Sequence, residues 1–117
     1  MFKQLDIFDQ AAGESLAIAG MELAIETANS EHPKWSERCW QLFYQWLNKK
    51  PRYYEFMIED FRKYLYDYDL IERPRSDRAF GFISIKAVKM NLVTFSRMEK
   101  VKNKKAHATP ASVWRKV

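Results

Sequence analysis

The sequence predicts a mainly α-helical protein with a small β-hairpin near its C-terminal end. Before Asn91, apolar residues recur every three to four positions, as amphipathic helices require. After Asn91, apolar and polar residues alternate loosely, as in a strand. Only three glycines and four prolines occur in 117 residues, which argues against a turn-rich sandwich or barrel. This length suits one domain with its own core.

The N-terminal part predicts a short arm followed by a helix. Residues 1–9 are too short for an independent element, so we assign them to an arm and residues 10–117 to a single domain. Over residues 10–28, side chains recur at helical spacing: Ala12, Leu16, Ala19 and Leu23. Residues 29–34 contain Pro33, which ends this helix.

The middle of the chain predicts two more helices around an aromatic core. Ser36 is a candidate N-cap for a helix that reaches Asn48. Residues 56–58 predict a brief strand, which a helix to about Tyr66 follows. Twelve aromatic residues lie between positions 35 and 68, so we expect the core there.

The next helix carries both an inward and an outward stripe. Ser76 and Asp77 open it, and Asn91 predicts a left-handed stop. At 100° per residue one side holds Phe80, Ile83 and Ala87, which we place in the core. The opposite side mixes charge with apolar residues: Arg78, Phe82, Ile85 and Lys89.

The last segment predicts a hairpin with a basic tip. Residues 92–98 and 106–114 read as two strands, although Pro110 confines the second to an edge or forces a bulge. The last three of these helices, followed by such a hairpin, have the order of a winged helix-turn-helix, which the N-terminal arm and first helix precede. There the helix before the hairpin enters the major groove, and the wing contacts the backbone or the minor groove.

The charges are strongly polarised along the chain. Residues 73–117 hold twelve of the 20 basic residues and two of the 15 acids, a net +10, whereas residues 1–32 carry −5. Nucleic acid is the commonest partner of such a surface, and a solvated basic tail is the alternative. The predicted DNA-binding residues are Arg75, Arg78, Lys86, Lys89, Arg97, Lys100, Lys102, Lys104, Lys105, Arg115 and Lys116.

A second interpretation needs no nucleic acid. The outward Phe82 and Ile85 would bury against a partner protein, and the basic face would complement an acidic one. The protein would then be an interaction module or an inhibitor of a host protein. The oligomeric state stays open, and the helix over residues 10–28 would serve a homodimer.

The arm contains a candidate docking peptide: Gln4, Leu5, Asp6, Ile7 and Phe8. It resembles the QL(S/D)LF pentapeptide by which bacterial polymerases and repair factors dock on the replicative sliding clamp, with isoleucine in place of leucine at position 7. Such an extended peptide places two apolar side chains in a pocket while the glutamine amide sets the register. In the alternative, Leu5, Ile7 and Phe8 pack on the protein's own helices.

The sequence shows no catalytic pattern. His32 and His107 have no partners at metal-ligand spacing, and no glycine-rich phosphate loop occurs. Cys39, on an aromatic helix face, is the single cysteine of the sequence. An internal disulfide is therefore excluded, which suits a reducing cytosol. No apolar run approaches a membrane span. We therefore predict a cytoplasmic non-enzyme without metal or cofactor.

Blocks along residues 20–117 resemble a group of small, mostly uncharacterised phage and prophage proteins. The blocks are Trp35-Ser36-Glu37-Arg38, Phe56 with Ile58-Glu59-Asp60-Phe61-Arg62, Arg78-Ala79-Phe80-Gly81, residues 87–92, Ala106-His107, Pro110 and Trp114-Arg115. That resemblance implies a winged-helix protein of a phage replication or recombination region. It would then act in the cytoplasm of a bacterial host, associated with the nucleoid. The resemblance implies no catalytic residues.

Overall fold

The computed structural model describes the backbone of residues 4–100 and 110–117, and the side chains of residues 16–100 and 110–117. Its helices are α1 (Gln4–Glu31), α2 (Trp35–Asn48), α3 (Ile58–Asp67) and α4 (Gly81–Lys89), with a 3-10 helix (Asp77–Phe80) directly before α4. Its strands are β1 (Glu55–Phe56), β2 (Val93–Lys100) and β3 (Pro110–Lys116). The expected class, mainly α with a small antiparallel β component, is confirmed.

Helix α1 is longer than the sequence predicts. It begins at Gln4 instead of residue 10 and ends at Glu31 instead of residue 28. The predicted start was wrong, and residues 4–9, which we assigned to an arm, belong to the helix. A helix that has formed its first turn adds each further residue at little cost, so local signals mark its ends poorly.

Helix α2 is capped by a residue of α1. It begins at Trp35, after Lys34 in a left-handed conformation (φ 59°). The Ser36 N–H donates to Asn29 Oδ1 at 2.8 Å, and Asn29 Nδ2 donates to Ser36 Oγ at 2.9 Å. The prediction of Ser36 as the N-cap was wrong, because the oxygen that satisfies this N–H group comes from the neighbouring helix.

Helices α3 and α4 both end in a Schellman motif. After α4, the Leu92 N–H donates to Ala87 O at 2.9 Å and the Asn91 N–H donates to Val88 O at 3.0 Å. Asn91 is left-handed (φ 57°), as predicted, and Asp69 (φ 50°) has the same role after α3. Both residue types tolerate this conformation. Helix α4 therefore turns sharply into the hairpin.

The core is aromatic, as expected, and joins α2, α3, β1 and the 3-10 helix. Trp35, Phe43, Phe61 and Phe80 are fully buried. The Phe43 and Phe61 rings meet edge to face at 5.1 Å, and those of Trp35 and Phe80 at 5.2 Å. Cys39 is buried among them, and burial raises the pKa of its thiol to about 12. This thiol is a core group and not a nucleophile.

The sheet is antiparallel, with strand order β1-β3-β2. The predicted β2–β3 hairpin is confirmed. Pro110 begins β3 opposite Lys100, whereas β1 joins β3 only at Trp114 and Arg115. At Pro110, β3 is therefore an edge strand, as the missing N–H of proline favours. A bulge between Phe95 and Arg97 leaves Ser96 without a register partner.

Candidate nucleic-acid interface

Helix α4 presents two lysines outside the core. Ile83 and Ala87 are fully buried, as predicted, while Lys86 and Lys89 are exposed. The Lys86 ammonium lies 4.6 Å from the centre of the Trp40 ring, a cation–π contact. Within the described residues, neither lysine forms an ion pair with a carboxylate. Among the described side chains, no carboxylate neutralises these two charges.

The outward stripe predicted for this helix is only partly outward. Phe82 is half-buried, and its ring lies 6.5 Å from that of Trp35 at a steep angle, so its predicted exposure was wrong. Trp35 comes from α2, and the periodicity of α4 alone carries no information about that neighbour. Ile85 remains 42% exposed. Arg78 is exposed but lies along α1, where a Cβ at Gly20 would stand 3.1 Å from its Nη1.

Three side chains on the sheet converge on the carboxylate of Glu55. Together with it they form what we call the Glu55 cluster: Glu55, Ser96, Arg97 and Arg115. Glu55 accepts hydrogen bonds from Ser96 Oγ at 2.6 Å, Arg97 Nη1 at 2.6 Å and Arg115 Nη2 at 3.0 Å. The bonds from Ser96, Arg97 and Arg115 lower the pKa of Glu55 to about 2. Glu55 therefore stays ionised across the neutral and mildly acidic range.

Several of the predicted DNA-binding residues are thus already paired within the fold. Arg97 and Arg115 share Glu55, and Arg75 Nε donates to both carboxylate oxygens of Glu31 at 2.9 Å. Each of these arginines remains at least about half exposed, so the pairing compensates its charge without burying it.

Of the remaining predicted residues, Lys116 ends β3, Lys100 ends β2, and the others lie outside the described residues. Lys100 ends β2 and is exposed. Lys102, Lys104 and Lys105 lie outside the described residues. Of the docking peptide Gln4, Leu5, Asp6, Ile7 and Phe8, the structure describes only the backbone, which forms the first turns of α1.

The structure adds a basic loop that the sequence interpretation missed. Residues 49–53 follow α2 and contain Lys49, Lys50 and Arg52. The Tyr53 N–H donates to Lys116 O at 3.1 Å, and Lys116 Nζ donates to Lys50 O at 2.7 Å. These bonds bring the loop beside the C-terminal strand. The run Lys49-Lys50-Pro51-Arg52 was the available signal, but the balanced charge of residues 33–72 concealed it.

An apolar groove of about 550 Å³ runs between α1 and α4. Leu16, Ile18 and Met21 line it from α1, and Ile85 lines it from α4. Leu16 is 73% exposed, although it is a large apolar side chain. The groove is a second candidate surface, with apolar instead of ionic chemistry.

The described part of the chain contains no group of three or more His, Cys, Asp or Glu side chains able to hold a metal ion. Among the same residues, no helix combines the length and the apolar character needed to span a bilayer. Comparison with protein-family models, with curated proteins and with solved structures gives no match for this chain.

Proposed function

We propose that this protein is a non-enzymatic winged helix-turn-helix protein that binds DNA through α4 and the β2–β3 hairpin. The observation that carries the proposal is the pair Lys86 and Lys89. They lie on the helix directly before the hairpin, exposed and without an acidic partner among the described residues. In helix-turn-helix proteins, the corresponding helix enters the major groove.

The order and pairing of the elements support this interpretation. Strand β1 lies between α2 and α3 in the chain and pairs with β3, so the hairpin that follows α4 is joined to the helical unit. One feature departs from the typical helix-turn-helix. Residues 68–76 separate α3 from the 3-10 helix, and this connection is longer than the usual turn of three to four residues. The Schellman motif at Asn91 places the hairpin immediately after α4.

The proposed contacts are of two kinds. Lysines neutralise phosphates by displacing condensed counterions, which does not depend on base sequence. The lysines proposed for this role are Lys86, Lys89, Lys100, Lys102, Lys104 and Lys105. Arg97 and Arg115 must exchange the Glu55 carboxylate for a phosphate, so their contribution is smaller than their formal charge indicates. We therefore expect binding dominated by lysines and by salt.

Fluorescence anisotropy with a labelled duplex tests this proposal. With about six phosphate contacts, the affinity should fall roughly 1,000-fold or more between 50 and 200 mM salt. An affinity that does not change over this range would refute the ionic interface.

We also propose that residues 4–8 dock on the bacterial sliding clamp. In α1 this peptide is helical, whereas the docked form is extended, so the first turns of α1 must unwind. The first four N–H groups of a helix have no partner within it, which keeps the cost of unwinding small. Wild type should retain the purified clamp in a pull-down, and Leu5→Ala/Phe8→Ala should not. Equal retention by both would exclude this role.

The groove between α1 and α4 favours a second candidate function, a protein-interaction module or host-protein inhibitor without DNA binding. Exposed apolar side chains such as Leu16 and Ile85 are the observation behind it. Duplex binding separates the two functions. If the protein binds DNA, wild type should bind the duplex and Lys86→Glu/Lys89→Glu should not. If it is only an interaction module, wild type should not bind the duplex either.

A further inference from the structure

We infer that residues 49–53, together with Lys116, form a second nucleic-acid contact, in which Tyr53 stacks on an unpaired base and the surrounding cations hold the adjoining phosphates. The inference rests on the proposed nucleic-acid function and extends it from duplex to single-stranded segments. It assigns a role to a loop outside α4 and the hairpin.

The backbone of Tyr53 is the first observation. Its φ is 67°, in the left-handed region that non-glycine residues other than Asn and Asp rarely occupy. Its side chain is 61% exposed, so burial in the core compensates little of this strain. Asparagine would fit the backbone better. Unfavourable conformations of this kind are more frequent at binding sites, and here the strained residue also exposes an aromatic ring, which makes Tyr53 a candidate for a contact outside the fold.

The loop holds the ring in a defined position. The Tyr53 N–H donates to Lys116 O, and the Tyr54 N–H donates to Pro51 O at 3.2 Å. The Arg52 guanidinium lies 5.0 Å from the centre of the Tyr53 ring. An exposed aromatic ring beside a cation offers a π-face for a base and a positive charge for the next phosphate.

The charges around the ring select the partner. Lys49, Lys50, Arg52 and Lys116 form no ion pairs with carboxylates among the described residues. Duplex DNA stacks its bases inside the helix and offers none to an exposed ring, whereas a single strand offers both bases and phosphates. The combination therefore favours single-stranded nucleic acid over an acidic protein surface.

Anisotropy with a labelled oligothymidylate and a labelled duplex tests the inference. Tyr53→Asn removes the ring while suiting the left-handed backbone. Its affinity for the single strand should fall roughly 5- to 150-fold, the range expected for removal of one base–aromatic stack. Tyr53→Phe should bind as wild type does, and duplex affinity should stay within about twofold in both variants because stacked bases do not reach the ring.

Lys34→Asn is the matched control. Lys34 is also left-handed (φ 59°) and lies before the other end of α2. Its replacement relieves the same kind of strain and should change neither affinity. Both asparagine variants should melt at or above the wild-type temperature, which excludes unfolding as the cause of any weaker binding.

The outcomes separate this inference from the proposed function. Unchanged single-strand affinity in Tyr53→Asn overturns the stacking inference while leaving duplex binding by α4 intact. Equal displacement of the oligonucleotide by polyglutamate, at matched charge, also overturns it, since a polyanion without bases would then suffice. Single-strand binding that depends on Tyr53, without duplex binding by wild type, supports the inference and refutes the winged-helix proposal.

Discussion

The arginines of the sheet and the lysines of α4 carry the same charge but differ in what faces them. Arg97 and Arg115 meet the carboxylate of Glu55 at 2.6 and 3.0 Å. Lys86 and Lys89 have an aromatic ring or solvent beside them. The net +10 of residues 73–117 therefore overstates the charge available to a partner, because part of it is compensated by acids from the rest of the chain.

The largest expected effect comes from reversing the uncompensated lysines. At 0.1 M salt, removing one lysine–phosphate interaction reduces affinity by roughly a factor of 8, so Lys86→Glu/Lys89→Glu should weaken duplex binding by about 60-fold or more. Anisotropy titrations measure this effect. The control is Lys34→Glu/Lys63→Glu, which changes the net charge equally outside α4 and the sheet and should have less than a tenth of the effect. Similar weakening in both variants would contradict a defined interface.

Removing the acid of the Glu55 cluster should act in the opposite direction. Glu55→Gln leaves a hydrogen-bonding amide but no negative charge, so Arg97 and Arg115 become available. We expect duplex affinity to rise by up to roughly 8-fold for each arginine that then reaches a phosphate. A salt titration should show a correspondingly steeper slope. Unchanged affinity and slope would show that the sheet face does not approach the DNA.

The same carboxylate makes stability depend on pH. The pKa of Glu55 is lowered from 4.5 to about 2 in the folded protein, so unfolding at low pH takes up a proton there. Its contribution to stability is full above about pH 4.5, and it is lost as pH falls towards 2. Urea unfolding of wild type and Glu55→Gln should therefore differ most at neutral pH and converge near pH 2. A difference that is constant with pH would contradict the assigned ionisation.

The smallest effect should come from the other compensated arginine. Arg75 is paired with Glu31, but its side chain is 77% exposed, and such surface pairs interact weakly in water. Glu31→Gln should raise duplex affinity by less than about threefold, since screening already weakens the pair at 0.1 M salt. Isothermal titration or anisotropy would detect it. An increase as large as that of Glu55→Gln would show that exposure does not decide how strongly an arginine is held.

Features that depend on near neighbours in the chain were predictable. The left-handed stop at Asn91, the cap at Ser76 and the inward side of α4 at Ile83 and Ala87 were all predicted and are all present. Each follows from helical periodicity or from the hydrogen bonding of a short side chain with the adjacent backbone. The aromatic core between residues 35 and 68 was predictable because so many large apolar rings must leave water together.

Features that depend on a distant element of the fold could not be predicted from the sequence. The cap at the start of α2 comes from Asn29, and Phe82 is covered by Trp35. Only the fold brings the basic loop at residues 49–53 beside Lys116. The start of α1 was also wrong, since helix extension past residue 10 has no strong local signal.

The sequence by itself thus determined the order of the helices, the left-handed stop at Asn91, the hairpin and the uneven distribution of charge. Only the tertiary structure decided which charges remain available. For the arginines of the sheet, two features decide whether their charge is neutralised. The strand register sets Glu55 opposite Arg115. The bulge at Ser96 lies next to Arg97, which reaches the same carboxylate. Ion pairing falls off within a few ångströms, so residues more than 40 positions apart neutralise each other only where the fold brings them into contact.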